Sequence, residues 1–254
     1  MKFSCLSSGS SGNCFFLEDS DGKSILIDAG ISCSSILNLL ESIDKKPESI
    51  SALFITHEHT DHIRGAEVFS KKFNLPVYLT KKTSEQIYSF SNLIPVKNNF
   101  SEKFGNLEVE FFSKSHDTPD PVSVRVHEKG KTLGVITDIG FACKNVLETI
   151  EMSDSLILEA NHDTKMLTNG PYPFFLKKRI LSDKGHISNL NSALAVLEYS
   201  NKKLKNIALS HLSEQNNTPV KAKTTFTNLL KERRDLDVNV FVSSRDKATR
   251  LLDV

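Results

Sequence analysis

The sequence lacks the features that mark several classes of protein. No apolar stretch approaches the ~20 residues that a helix needs to span a bilayer, and the amino terminus has no apolar signal-peptide segment. Glycine and proline are scarce, with 11 and 8 residues among 254, which excludes fibrous and low-complexity chains. A hydrophobic fraction of 39% is enough for a sizeable core. We therefore expect a cytoplasmic globular protein that folds as one domain over residues 1–254, without a membrane partner.

Cysteine is also rare, and the overall charge is balanced. The four cysteines form no C-x-x-C pair, so neither a zinc ribbon nor a thioredoxin motif is indicated, and buried apolar cysteines are expected. The net charge of +1 argues against a chain that is basic throughout. Its distribution is uneven, because residues 165–254 contain 16 lysines and arginines against 8 acidic residues. This basic part suits a phosphate-bearing partner or is a solvated surface, and the acidic first part suits a cation.

Strands and helices alternate along most of the chain. Three short apolar segments within residues 2–28 predict a meander of strands separated by Gly-containing turns. Apolar residues at helical spacing predict helices over 63–73 and 81–90. Because the later segments repeat the alternation, the pattern favours an α/β layered sandwich over an all-α or all-β fold.

The most informative segment is a cluster of histidines after a predicted buried strand. Residues 57–62 read His-Glu-His-Thr-Asp-His. Burying so many polar groups without partners costs about 1–3 kcal/mol for each group, and a bound metal ion removes that cost. In an extended turn His57 and His59 point to one side, while Asp61 and His62 point to a neighbouring position. One run can therefore bind two cations side by side.

The His-x-His-x-Asp-His run after a strand resembles the signature of the metallo-β-lactamase fold superfamily. Further residues match the pattern of that family in the same order: Asp28 in Ile-Asp-Ala-Gly, His116, Asp138 in Thr-Asp-Ile-Gly, and His211 in Ser-His-Leu-Ser. The resemblance covers about residues 2–213. It implies the fold of the superfamily, which is a four-layer αββα sandwich.

The resemblance also implies a dinuclear metal hydrolase with two divalent cations, Zn²⁺ or Mn²⁺. Two cations about 3.5–4 Å apart lower the pKa of a shared water towards about 7, which provides a hydroxide nucleophile. Asp28 is expected to support the metal loop without binding the metals. The expected ligands are His57, His59 and His116 for one cation, Asp61, His62 and His211 for the other, and Asp138 as the bridge.

Superfamily members hydrolyse β-lactams, thioesters or phosphodiesters, and two further polar segments favour phosphodiesters. In the transfer-RNA 3′-processing nucleases of the superfamily, a glutamate of this kind pairs with a histidine before the last ligand. Glu159 and His186 stand in those places. The resemblance implies that His186 contacts the phosphate or protonates the leaving oxygen, while Glu159 orients it. His162 and Ser188 are further candidates near the substrate, with Ser188 as a cap of the next helix.

The resemblance is most detailed to one bacterial group within the superfamily, the YycJ (WalJ, VicX) group. It rests on the Ser/Gly-rich loop at 7–12, on Asn13, which is expected near the metals, and on segments 170–173 and 210–217. Members of the group are viewed as metal-dependent exonucleases that act on DNA from the 5′ end. The expected function is therefore a 5′-to-3′ DNA exonuclease with a nucleic acid as its partner. The residues expected to take part in catalysis are Asp61, Glu159 and His186.

Several alternatives stay open at this point: a glyoxalase II-like thioester hydrolase, an RNA-processing nuclease, and a metal-binding regulator without activity. The complete ligand set argues against the regulator, and the basic last 90 residues together with His186 argue against the thioesterase. Lys177, Lys178 and Arg179 are candidate phosphate contacts or a solvated helix face. The metal used, the polarity of cleavage and the oligomeric state are left open by the sequence.

Overall fold

The structure is a computed structural model that describes residues 1–87 and 90–254. These residues fall into two compact units. The first comprises Met1–Ser113, Thr118–Lys131 and Ser243–Val254, and the second comprises Lys114–Asp117 and Thr132–Val242. Each unit combines strands with helices, so the predicted α/β class is confirmed. The expectation of a single domain over residues 1–254 stays a prediction.

The first unit contains a mixed sheet of seven strands. They are β1 (Lys2–Ser7), β2 (Cys14–Glu18), β3 (Ser24–Ile27), β4 (Ile50–Phe54), β5 (Val77–Thr80), β6 (Leu93–Val96) and β14 (Leu252–Asp253). They lie in the order β14-β1-β2-β3-β4-β5-β6. The pairs from β14 to β3 are antiparallel, as the predicted meander requires, whereas β3 to β6 are parallel.

Helices of the first unit pack on this sheet through a buried apolar cluster. Ile36 and Leu40 lie in the cluster together with Phe69 and the strand residues Leu26 and Leu53. Burial of each such side chain stabilises the fold by about 1.5–3 kcal/mol. The helices are α1 (Cys33–Glu41), α2 (Thr60–Ile63), α3 (Ala66–Phe73) and α4 (Lys81–Ser84), with a 3₁₀ turn at Pro47–Ser49.

The helix predicted over 63–73 is in fact divided between α2 and α3 at Gly65. The Gly65 N–H donates to the carbonyl oxygen of Ala29 at 2.8 Å, so it does not continue the helical hydrogen bonds. A Cβ atom at this position would lie 2.0 Å from the carbonyl oxygen of Ile31. Only glycine therefore allows the chain to approach the loop after β3 so closely.

The helix predicted over 81–90 is shorter than expected. α4 ends at Ser84, and the N–H groups of Gln86 and Ile87 then donate to carbonyls three residues earlier. Such bonds tighten the end of a helix into a turn. Tyr88 and Ser89, which the prediction also covered, lie outside the described residues.

The first unit also contains an antiparallel meander. Its strands are β7 (Ser101–Phe104), β8 (Leu107–Ser113) and β9 (Val122–Glu128), paired in that order. The ring of Phe54 lies edge-on to Phe104 at 4.9 Å and to Phe111 at 6.1 Å between centroids. The meander therefore packs against the end of β4, directly before the histidine run.

The second unit contains four parallel strands. They are β10 (Lys131–Ile136), β11 (Ser155–Glu159), β12 (Asn206–Ser210) and β13 (Asn239–Val242), and each pairs with the next. Because the carboxyl ends of parallel strands meet at one edge, Asp138, Glu159 and His211 are brought together there. The helices are α5 (Lys144–Met152), α6 (Thr164–Asn169), α7 (Phe174–Ile180), α8 (Asn189–Tyr199) and α9 (Pro219–Leu230).

Two general expectations can be compared with the structure. Cys5 and Cys14 are buried in β1 and β2 as predicted, whereas Cys33 and Cys143 are half-buried at the amino ends of α1 and α5. Within residues 1–87 and 90–254, the longest helix is α9 with 12 residues, and none is long and apolar enough to cross a membrane.

Candidate metal centre

Three histidine rings of the 57–62 run lie together in the first unit. The ring centroid of His57 is 4.8 Å from that of His59 and 4.1 Å from that of His62. His57 and His62 are fully buried, and His59 and Asp61 are half-buried. The run begins just after β4, and α2 starts at Thr60, so an extended loop presents His57 and His59 while the first helical turn presents Asp61 and His62.

Asp28, buried directly after β3, orients two of these rings. Its Oδ2 accepts a hydrogen bond from His62 Nδ1 at 2.7 Å, and its Oδ1 accepts the backbone N–H of Thr56 at 2.9 Å. The Thr56 hydroxyl donates to Asp28 and lies 2.9 Å from His57 Nδ1. Asp28 therefore determines the orientation of His62 directly and that of His57 through Thr56, which fits its expected supporting position.

Asn13, also in the first unit, is a further residue that contacts the 57–62 run. Its side-chain oxygen accepts the Ser8 hydroxyl at 3.0 Å and the Gly9 N–H at 3.1 Å. Its Nδ2 then lies 3.4 Å from Asp61 Oδ2 and 3.2 Å from His62 Nε2. The Ser/Gly-rich loop thus holds the Asn13 amide against the carboxylate and ring that were expected to bind one metal.

The second unit is organised around Glu159, which is fully buried at the end of β11. Its Oε1 accepts hydrogen bonds from His186 Nδ1 at 2.8 Å and from His211 Nδ1 at 2.9 Å. Its Oε2 accepts the backbone N–H of Ile139 at 2.7 Å. Burial by itself raises the pKa of Glu159, but the two imidazoles outweigh it and hold the pKa of this carboxyl below its ordinary value.

Asp138 and His116 complete the polar cluster of the second unit. Asp138 Oδ1 lies 3.4 Å from His211 Nδ1 and 3.8 Å from His116 Nε2. His116 Nδ1 lies 3.2 Å from the carbonyl oxygen of Gly185. Burial, reinforced by Lys114, lowers the pKa of His116 to about 3 against the opposing effect of Asp138. The ring is therefore neutral at pH 7, which is the form that binds metals.

The donor set fits divalent metals. In His57, His62, His116 and His211 the Nδ1 side of the ring meets a hydroxyl, carboxylate or carbonyl oxygen of its own unit. This network assigns the proton to Nδ1 and makes Nε2 the nitrogen that offers its lone pair. Metal-binding histidines show the same arrangement. Possible ligand atoms from Asp138, Glu159, His186 and His211 also lie within 4.8 Å of one another. Of these residues only Asp138 and His211 belong to the expected ligand set, because Glu159 and His186 are hydrogen-bonded to each other.

A comparison with known families agrees with this donor set. The pattern of the family described as the metallo-β-lactamase superfamily matches residues 8–211, which is most of the chain. The chain belongs to the metallo-β-lactamase superfamily. Together with the His and Asp clusters, membership indicates a protein that binds divalent metal.

Two curated bacterial proteins are similar to this superfamily member over nearly its whole length. It is 38% identical to the exodeoxyribonuclease WalJ of Streptococcus pneumoniae serotype 2, over 100% of this chain and 98% of that protein. It is 36% identical to the exodeoxyribonuclease YycJ of Bacillus anthracis, over 92% and 90% of the two chains. The predicted resemblance to the YycJ/WalJ group is confirmed.

A solved structure shows the same fold. The metallo-β-lactamase fold protein YhfI from Bacillus subtilis matches with a TM-score of 0.73 over 98% of both chains, at 15% identity. This similarity, together with the family match, confirms the predicted fold class, the αββα sandwich of the superfamily.

Other candidates from the sequence lie near Glu159. The Ser188 hydroxyl accepts the Asn191 N–H and caps α8, as predicted. His162 is buried and its carbonyl oxygen accepts the Asn189 N–H at 2.9 Å. Neither ring nitrogen of His162 has a hydrogen-bond partner within residues 1–87 and 90–254. The imidazole partners of Glu159 are therefore His186 and His211.

Sequence reasoning missed two residues that support the centre. Thr56 links Asp28 to His57, and only its position directly before the histidine run signals this. The Asn161 amide donates to the carbonyl oxygen of His211 at 2.9 Å. No local pattern indicates that contact, because the two residues are 50 positions apart.

The buried ring of His162 predicts a loss of stability in acid. Burial lowers the pKa of His162 to about 4 from an ordinary value of 6.5. The ring is neutral in both states above about pH 6.5. As the pH falls from there to about 4, the unfolded chain takes up a proton that the folded chain does not, which costs about 3 kcal/mol in total. We expect His162→Gln to remove this loss.

The measurement is urea unfolding of metal-free wild type and His162→Gln at several pH values. The contribution of His116 is common to both proteins and cancels in the difference. We expect the variant to gain stability relative to wild type as the pH falls below about 6. A difference that does not change with pH contradicts the prediction.

Proposed function

We propose that the chain is a metal-dependent phosphodiesterase, and specifically a DNA exonuclease that degrades a strand from its 5′ end. Similarity to two exodeoxyribonucleases along nearly the whole chain supports a nucleic acid substrate. The observation that carries the proposal is the pair of hydrogen bonds from His186 and His211 to Glu159. A DNA substrate also agrees with the predicted cytoplasmic location.

This pair favours phosphodiester cleavage because of the leaving group. Without a proton, the leaving oxygen of a nucleotide would depart as a strongly basic alkoxide, so it needs a proton donor. A thiol has a pKa of about 8.5 and leaves more easily as an anion. Glu159 accepts the hydrogen bond from Nδ1–H of His186 and fixes the orientation of the ring, which leaves Nε2 as the nitrogen that can pass a proton to the substrate. His186 can therefore protonate a leaving oxygen. A thioester hydrolase has less need of such a residue.

We further propose two cations, Zn²⁺ or Mn²⁺, held by nitrogen and oxygen donors alone. When bound, they activate a water and stabilise charge on the phosphate. The Asn13 amide donates towards Asp61 and limits the positions that this carboxylate can take. The proposed ligands are His57, His59 and His116 for one cation, Asp61, His62 and His211 for the other, and Asp138 between them.

The function is tested by digestion of a DNA oligonucleotide that is labelled at either its 5′ or its 3′ end. With Mn²⁺ or Zn²⁺ we expect early release of a short 5′-labelled product, and gradual shortening of the 3′-labelled strand. A chelator should abolish both. The same sequence in RNA and a glutathione thioester are tested separately, as substrates of the alternative functions. Intact DNA alongside cleaved RNA or a hydrolysed thioester contradicts the proposal.

The metal assignment predicts that His59 and Asp61 bind different cations. Because the two residues are proposed to serve different cations, His59→Ala and Asp61→Ala should each remove more than half of the bound metal or nearly all activity. The measurement is elemental analysis of the purified proteins. His127→Ala, on β9 and outside the cluster, is the matched control. Unchanged metal in both test variants excludes the dinuclear assignment.

A variant of His186 distinguishes a role in protonating the leaving group from a role in binding metal. Because His186 is outside the proposed ligand set, His186→Ala should keep both metals, and DNA cleavage should fall by about 10²- to 10⁴-fold, the usual contribution of a general acid. The loss should be smaller on a p-nitrophenyl phosphodiester, whose leaving group departs without a proton. An equal loss on both substrates indicates phosphate binding instead, and full activity in the metal-loaded variant refutes either role.

A further inference from the structure

α7, which precedes the His186 loop in the second unit, has an unusual surface. Phe174 exposes 81% of its surface and Phe175 exposes 73%. Within residues 1–87 and 90–254, Phe174 is the most exposed of the large apolar side chains. Two adjacent exposed rings form a surface of the kind that marks an interaction site.

The helical spacing makes cations alternate with these rings. At about 100° per residue, the outward face of α7 carries Phe174, Lys178, Phe175 and Arg179 in that order around the helix. Ile180, on the opposite face, is buried. Lys178 and Arg179 are both exposed, and each follows a phenylalanine by four residues, so the two side chains of each pair are neighbours.

The helix is attached to two parts of the candidate centre in its own unit. The carbonyl oxygen of Ile180 accepts the backbone N–H of His186 at 2.9 Å. Arg179 Nε donates to Asp117 at 2.6 Å, next to the proposed ligand His116. The helix α7 and the proposed proton donor His186 thus belong to the same short segment, residues 174–186. A nucleic acid strand bound to α7 would therefore be held by the segment that also carries His186.

We propose that the outward face of α7 binds a single-stranded end of the nucleic acid substrate. Phe174 and Phe175 stack on unpaired bases, and Lys178 and Arg179 contact the adjoining phosphates. Single-stranded nucleic acid offers flat apolar faces and a negative charge on every residue, and both match this surface. A duplex hides its base faces, so the occupant is an unpaired end. This inference rests on the proposed nuclease function and names how its substrate is held.

Two other occupants match less well. A second copy of this chain in a two-fold contact brings each patch against its own equivalent, so Lys178 and Arg179 meet like charges. An anionic membrane matches the charge, but α7 has only seven residues, and membrane attachment gives no reason for its link to His186. Both occupants are outcomes of the test below.

The test compares three double variants at positions 174 and 175. Phe→Ala removes the rings, Phe→Leu keeps apolar area without a flat face, and Phe→Trp keeps a stacking face. The two side chains are largely exposed, so the fold should tolerate all three. Val220→Ala, at a position that is 73% exposed on α9, is the matched control. Affinity for a fluorescein-labelled phosphorothioate oligothymidylate, which resists cleavage, is measured by anisotropy with Mn²⁺ present.

We expect the Ala and Leu variants to lose about tenfold or more in affinity, because stacking on an aromatic ring contributes that much for each base. The Trp variant and Val220→Ala should bind as wild type does. In cleavage of DNA with a 5′ overhang, the Ala variant should show a raised KM and little change in kcat. Lys178→Ala should make the salt dependence shallower by about 0.7 in log-log slope. Lys144→Ala, on the exposed surface of α5, should not.

Several results overturn the inference. They are wild-type affinity in the Ala variant, retention of affinity in the Leu variant, loss of a wild-type dimer in the Ala variant, and binding of wild type to anionic vesicles but not to the oligonucleotide. The proposed function fails separately. Wild type that cleaves no DNA refutes the nuclease, whereas wild type and Ala variant that cleave DNA with equal KM refute only the binding surface.

Discussion

The hydrogen bond from a histidine Nδ1 to a buried carboxylate is the interaction on which both clusters depend. Asp28 accepts such a bond from His62, and Glu159 accepts two, from His186 and His211. Both carboxylates are fully buried, where an unpaired charge costs several kcal/mol. Each is compensated by donors from several parts of its own unit. Each ring around it is consequently held in a fixed orientation with its proton on Nδ1, which leaves Nε2 for chemistry.

A second constraint is the backbone at the ends of the strands. Asp28, Asp138 and His211 follow β3, β10 and β12, and all three have positive φ angles, at 58°, 54° and 55°. Residues other than glycine seldom adopt this conformation, although Asp and His tolerate it better than most. The turn redirects the side chain at the strand end. Asn161 supports one of these turns through its bond to the carbonyl oxygen of His211, so the strain is held by the fold.

The sequence predicted those parts of the centre that depend on local spacing. The 57–62 run is local, and its place after β4 follows from an apolar strand that stops at polar residues. The break at Gly65 was not predictable, because it depends on contact with the loop after β3. The supporting contact of Asn161 is also non-local. Periodicity describes one element at a time, and these features arise where elements meet.

The surface of α7 is another feature that the sequence alone does not predict. Read as a pattern, residues 174–180 are a short amphipathic helix, and the sequence alone does not say which face is covered. In the structure only Ile180 is buried, so both phenylalanines lie among cations on the outward face. Their exposure gives the core nothing, because apolar area left in water contributes no burial energy. The segment is also strongly basic. Four cations lie within eight consecutive residues, although the net charge of the chain is only +1: Lys177, Lys178, Arg179 and Lys184. The near-neutral total therefore hides a concentrated positive segment, and His186, the residue proposed to act on the phosphate, follows it by two positions.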